Sequence, residues 1–306
     1  MAVTARKRAM KLSTIEAISG YLYISPWILG FLLFTLFPFV ASFLLSFANY
    51  AIATPPNWAG LSNFRRALFE DNLFWLSLKL TLTYVALEVP IGISLSLLLA
   101  VLLNQDIHGN TFFRALFFLP TLTPAVAGTL LWTWLLRADI GLVNTLLWNL
   151  FRINGPGWLS SPDWALPSVL MIGLWGSVGG GRMILFLAAL QGVPQELKEA
   201  ADIDGANGWY KFWNVTVPMI SPVIFFNMVL GIIGSFSVFT TAFIGTQGGP
   251  MRATWFYMLH LVNQALVHFD MGYASALAWI LFVILLFFTY FQVRFSRSWV
   301  YYAGGL

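Results

Sequence analysis

Six long apolar stretches, at about 21–47, 76–103, 112–136, 166–190, 222–243 and 273–293, follow one another with only short polar connections. A helix needs roughly 20 apolar residues to cross the hydrocarbon layer of a bilayer. Inside that layer each segment must satisfy its own backbone N–H and C=O groups, which helices do. The pattern therefore predicts an all-α, polytopic membrane protein with six transmembrane helices. Composition agrees, because 59% of the 306 residues are hydrophobic and only 9% are charged, more apolar surface than a soluble domain of that size hides. The first stretch does not read as a signal peptide. It is long, contains Pro26 and Pro38, and has no small-residue cleavage site before a polar mature domain. One integral domain is expected at 18–306, behind a basic cytoplasmic tail at 1–17.

The connections are too short for a soluble globular domain, so any ATP-hydrolysing unit has to be another chain. With no cysteine, disulfides, thiolate metal sites and cysteine nucleophiles are excluded. The formal net charge of +4 lies mostly at membrane borders and forms no stripe of the kind that binds nucleic acid. The three histidines, His108, His260 and His268, stand apart from one another and from paired acids, so each reads as a loop or interfacial residue. No catalytic and no metal-ligating residues are assigned. A cytoplasmic amino terminus puts nine basic residues inside (Arg6, Lys7, Arg8, Lys11, Arg114, Lys198, Lys211, Arg294 and Arg297) against six outside (Arg65, Arg66, Lys79, Arg137, Arg152 and Arg252). This imbalance favours both termini in the cytoplasm.

Between the fourth and fifth stretches lies a polar loop at 192–220 containing Glu199-Ala-Ala-Asp-Ile-Asp-Gly205-Ala-Asn and closing on Val215-Thr-Val-Pro218. Glu-Ala-Ala, three residues, Gly, nine residues and Val-x-Val-Pro resembles the cytoplasmic coupling loop of ABC importer permeases. Val215 and Val217 stand where that family more often has Ile and Leu. Further patches, in the same order, resemble the carbohydrate-uptake, maltose-type branch of this binding-protein-dependent transport family. They are Gly60-Leu-Ser-Asn-Phe64, Arg114-Ala-Leu-Phe-Phe-Leu-Pro120, Gly141-Leu-Val-Asn144, Thr246-Gln-Gly-Gly-Pro250 and Gly272-Tyr-Ala-Ser-Ala276. The resemblance implies the type I ABC importer permease fold in a bacterial or archaeal plasma membrane. It also implies a second permease subunit, two ATP-binding cassette ATPase subunits and an extracytoplasmic solute-binding protein. ATP and Mg would be bound by the partner ATPase, with no cofactor in this chain, and the solute would be a small-molecule sugar or oligosaccharide.

In the loop, Glu199, Ala200, Ala201 and Ala206 favour a short helix and Gly205 breaks or turns it. For a helix beginning near Glu199, the carboxylates of Glu199, Asp202 and Asp204 would suit its positive end and would face basic groups on the ATPase. A solvated interfacial helix is the alternative. For the solute path, positions matching the maltose-type substrate contacts fall on Ser177, Val178 and Gly181 in span four and on Gly231, Ser235 and Val238 in span five. The last three are expected on one helical face. Val238 and Gly181 replace polar or aromatic residues of that family, so the identity of the ligand does not transfer. Helix contact by small residues is the other reading of these positions.

Glu88 and Arg182 are the charges deepest in their spans, where each needs protein or water to face. Counting along straight helices separates them in depth by about 10 Å. An ion pair between them, an arginine on the sugar path, and a glutamate facing the second permease all remain open. Two other function classes compete with the permease: an intramembrane enzyme acting on a lipid-linked or glycan substrate, which would need a catalytic constellation, and a self-sufficient secondary transporter, which would often show internal repeats.

Overall fold

A computed structural model describes residues 12–52, 54–105 and 108–301. Of the basic tail, 1–11, with Arg6, Lys7, Arg8 and Lys11, lies outside the described residues, while 12–17 already belong to the first helix, Leu12–Phe31. Four helical runs are long and apolar enough to cross a membrane: Leu12–Ser46, Asn72–Leu103, Gly208–Gly245 and Met271–Ser296. These are spans one, two, five and six. Spans three and four are bent pairs, Asn110–Leu122 with Ala125–Leu135 and Pro162–Val178 with Gly181–Gln191, turning by 99° and 45°.

Proline and glycine explain the irregularities. Spans one and five each contain a wide helical turn, Leu32–Leu36 and Phe212–Thr216, ending two residues before Pro38 and Pro218. A proline has no N–H to give and its ring crowds the carbonyl four residues back, so the helix opens there. Span five therefore runs on from Gly208, ahead of Pro218 and of the apolar stretch expected at 222–243. In span three, Thr123 is extended (ψ 123°) ahead of Pro124, since the proline ring disfavours helical backbone in the preceding residue. In span four the break falls on Gly179 and Gly180. A methyl group on Gly179 would overlap the Phe117 carbonyl oxygen, and one on Gly180 the Thr121 hydroxyl. Only glycine lets the break of span four sit directly against the first half of span three.

Span two is the pillar. About 48 Å long by its 32 residues at 1.5 Å each, it contributes to all three buried clusters. Phe74, Val85 and Val89 pack with Phe236, Tyr257, Tyr273 and Leu277. Ala100 and Leu103 pack with Met183, Phe186, Leu190 and Ile220. Tyr84 packs with Val169, Ala242, Phe256 and Leu259. Span one instead lies outside this bundle, touching span six through Phe39 and Phe43 against Trp279, with ring centroids 4.8 and 4.7 Å apart. A two-residue antiparallel ribbon, Ala48–Asn49 with Asn57–Trp58, follows it. Asn63 pins this turn by donating to the carbonyls of Ser46 and Ala48 at 3.1 and 3.0 Å.

Candidate functional site: a capped loop and a buried glutamate

The loop after span four forms the helix Gln195–Ile203. It begins four residues before Glu199, because Pro194 precedes it with a fixed φ of −55° and no donor to place in the first turn. The expected helix start at Glu199 is thus corrected. Glu196 occupies the first turn, Glu199 lies mid-helix, and Asp204 is the C-cap, where the helix dipole does not favour it. Gly205 has φ +74°, its N–H donates to Asp202 O at 3.0 Å, and the N–H of Ala206 donates to Ala201 O at 2.9 Å. These two bonds and the left-handed glycine make a Schellman C-cap. Asn207 then starts the next helix, its side chain accepting from the Tyr210 N–H at 2.8 Å.

Asp202 is exposed and pairs through Oδ1 with Lys211 Nζ at 2.6 Å. That bond ties the loop helix to the first turn of span five. Glu199 and Ala200 are exposed, Ala201 and Ala206 are half-buried, and Ile203 stands 88% exposed at the tip. The loop offers solvent a small, mixed acidic and apolar face on a rigid base.

At mid-span, Glu88 is 4% exposed and its two oxygens serve different helices. Ser177 in span four donates to Oε1 at 3.0 Å, and Ser235 in span five donates to Oε2 at 2.7 Å. Arg182 Nη1 lies 3.5 Å from Oε1. The two charges stand within ion-pair distance, the first of the three readings. The guanidinium passes between two glycines. A methyl on Gly92 would overlap Nη1, and one on Gly231 would stand 3.4 Å from Nη2.

The expected path residues therefore divide. Ser177, Arg182, Gly231 and Ser235 gather around Glu88. Val178 lines two cavities of about 560 and 470 Å³, and Gly181 is exposed with open space beside it. Val238 does not share a helical face with Gly231 and Ser235. The helix stops at Phe236, and Val238 packs instead beside Tyr84, Val169 and Phe256.

A second polar cluster escaped the sequence reading. On the side opposite the loop, His260 is fully buried, contrary to the expected loop or interfacial histidine; His108 and His268 are exposed. Its Nδ1 accepts from Trp255 Nε1 at 3.3 Å, which leaves Nε2–H to donate to Asp71 Oδ2 at 3.0 Å. Tyr273 donates to the same oxygen at 2.7 Å, and Asp71 Oδ1 caps span two by accepting from Leu73 N–H at 2.8 Å. Beside it, Arg66 pairs with Asp270 at 2.6 Å and covers the Tyr273 ring. Burial pushes the His260 pKa down more than Asp71 raises it. For Asp71, burial acts upward, but Tyr273, His260 and the backbone donors hold the carboxyl below the usual carboxylate range. Sequence signals existed, an Asp directly before each of spans two and six, but His260 and Asp71 are 189 positions apart.

A helical membrane protein of up to six crossings, with one capped polar loop between the fourth and fifth, is the class these features define. Residues 90–301 match the family described as binding-protein-dependent transport system inner membrane component, and the chain belongs to it. A probable ABC transporter permease of Bacillus subtilis, YesP, is 39% identical over 290 residues, 94% of this chain and 93% of the relative. The lactose transport system permease LacF of Rhizobium radiobacter is 30% identical, over 97% and 99% of the two chains. A crystal structure of a bacterial alginate ABC transporter, in complex with an alginate pentasaccharide-bound periplasmic protein, contains a chain that superposes with a TM-score of 0.82. That chain is 23% identical and the match covers 94% of this chain and 96% of it. The fold is that of an ABC importer permease, and the chain is a multi-pass transport subunit of the plasma membrane, not an enzyme.

Proposed function

We propose that this permease carries a sugar or oligosaccharide into the cell as one half of a heterodimeric pore. It pairs with a second permease, two ATPase subunits and an extracytoplasmic solute-binding protein. ATP and magnesium reside on the ATPases, and this chain needs no cofactor of its own. Both termini lie in the cytoplasm, on the same side as the 192–220 loop. The observation that carries this reading is the loop's construction. Its helix is closed by Gly205, bonded to span five through Asp202 and Lys211, and turns Glu199, Ala200 and Ile203 outward. A face so anchored transmits an ATPase movement to spans four and five as a tilt. The sugar preference is supported by the lactose permease and the alginate transporter that the chain resembles. Val178 and Gly181, at the cavities and the exposed start of the lower half of span four, line the route; Ser177, Arg182, Gly231 and Ser235 stand behind them.

The test is uptake by the complete transporter in vesicles, with a panel of labelled mono- and oligosaccharides retained by its binding protein. ATP-dependent uptake of at least one of them, lost in Glu199→Lys together with the ATPase, is expected. Uptake that proceeds without any ATPase would overturn the reading.

A further inference from the structure

Glu88 sits where span two meets both halves of span four and span five through polar contacts. The two halves of span four turn by 45° at Gly179 and Gly180, and Glu88 holds a residue from each side of that break. Ser177, on the upper half, reaches Oε1, and Arg182, the second residue of the lower half, lies against the same oxygen. Oε2 is taken by Ser235 of span five. The lower half of span four, Gly181–Gln191, runs about 16 Å from Arg182 to the loop, and span five leaves the loop from Gly208. Both elements that flank the loop are therefore fastened, at a distance from it, to one carboxylate.

The fastening is short on one side and loose on the other. The serine bonds are 3.0 and 2.7 Å, whereas Arg182 Nη1 stands 3.5 Å from the carboxylate, buried, with no hydrogen-bond partner. A change in the bend of span four moves Ser177 and Arg182 relative to each other, and both contacts end on Oε1.

We propose that Glu88 is the positioning residue of the transport cycle, a clamp that holds both halves of span four and the middle of span five in the resting arrangement. The clamp yields when the loop is moved by the ATPase. Gly92 and Gly231 belong to it, because they leave the slot through which the guanidinium reaches the carboxylate. The inference rests on the permease reading above and adds to it the place where the loop's motion is resisted.

The experiment uses the complete transporter in vesicles and reads ATP hydrolysis without the binding protein, together with solute taken up per ATP. Glu88→Gln keeps the shape and removes the charge, Arg182→Gln removes the partner, and Gly92→Ala displaces the guanidinium without altering any charge. Each is expected to raise unstimulated hydrolysis about fivefold or more, the low end of the usual range for coupling between sites, and to lower uptake per ATP. Glu88→Gln with Arg182→Gln is expected to do no more than either alone, because both remove one contact. Variants that keep their ATPase subunits, the native unstimulated rate and the native yield would overturn the clamp, as would effects that multiply in the double variant. Should a variant lose its ATPase subunits, a thiol decides the question. Cysteine in place of Ser177, half-buried in a chain with no other cysteine, should react slowly with a thiol reagent at rest and faster when the ATPases are trapped with vanadate. Equal reactivity in the two states refutes the clamp while leaving the loop assignment standing.

Discussion

Gly205→Ala isolates the backbone requirement of the loop from everything else. The position has φ +74°, and a methyl group there would meet nothing within 4 Å, so alanine brings no clash and removes no side-chain contact. What it brings is the left-handed penalty, about 1–2 kcal/mol for a residue with a Cβ. The same turn holds both C-cap hydrogen bonds, from Gly205 and Ala206, so opening it also frays the last turn of Gln195–Ile203. If the ATPase binds only the closed loop, its affinity falls by the change in closed population, at most about five- to thirtyfold for that penalty. Titrating purified ATPase onto the permeases in nanodiscs reads this directly. Two companions sharpen the result. Gly205→Asn should stay near the native affinity, because Asn tolerates the left-handed region. Gly208→Ala, where backbone φ is not positive and space is open, should also change little. Native affinity in Gly205→Ala, or an equal loss in Gly205→Asn, would show that the turn is not what the ATPase reads.

Gly180→Ala should lower the thermal midpoint of the purified chain, because its methyl meets Thr121 across the contact of spans three and four; overpacking of this kind costs about 1–3 kcal/mol, and an unchanged midpoint argues against the break's close approach. Stability should fall as the medium is acidified below about pH 6.5. His260 has its folded pKa lowered, so the unfolded chain binds the proton first and stability drops with falling pH. Asp71, also lowered, adds loss in the same direction only below about pH 4. Thermal midpoints between pH 7.5 and 5 should slope for the native chain and flatten for His260→Gln. Cysteine at exposed Ala200 should react only from the cytoplasm and cysteine at exposed Asn149 only from outside; reversed labelling would invert the proposed orientation.

The six crossings were legible because each apolar run is long enough to state its own length, and the loop because its glycine and prolines punctuate a polar stretch. What the runs could not show is where they break. Pro124 and Gly179-Gly180-Gly181 sit within windows whose average hydropathy still reads as one continuous helix. The same breaks defeated distance reckoning along a straight axis. Glu88 and Arg182 were offset in depth by about 10 Å on that ruler, a gap that a long arginine side chain helps to close, and their side-chain atoms stand 3.5 Å apart. Val238 was placed on the face of Ser235 by helical spacing, yet the helix stops at Phe236. The start of the loop helix was nearer to hand, since Pro194 marks it, but the run of alanines drew attention to Glu199. His260 was unreadable for a different reason. A histidine means little until its neighbours are known, and its carboxylate comes from the far end of another span.

Span two meets its neighbours through two kinds of contact, and the difference bears on what moves. Apolar packing at Val89, Ala100 and Leu103 changes energy in proportion to area, so small slides cost little. The hydrogen bonds at Glu88 and Asp71 are lost within about an ångström. Asp71 bonds the cap of its own span, Tyr273 of span six and His260, all on the side away from the loop, and each of its bonds has a well-placed donor. Glu88 bonds the two spans that flank the loop, and Arg182 Nη1 lies 3.5 Å from it without a hydrogen bond. A central charge costs about 2.5–3.5 kcal/mol on insertion scales, and apolar residues of similar volume would often join helices at least as stably. A charge at this depth, shared among the loop-bearing spans and facing a loosely held arginine, fits a contact made to be remade, while the Asp71 cluster joins span two to span six and the 257–266 helix, which do not flank the loop.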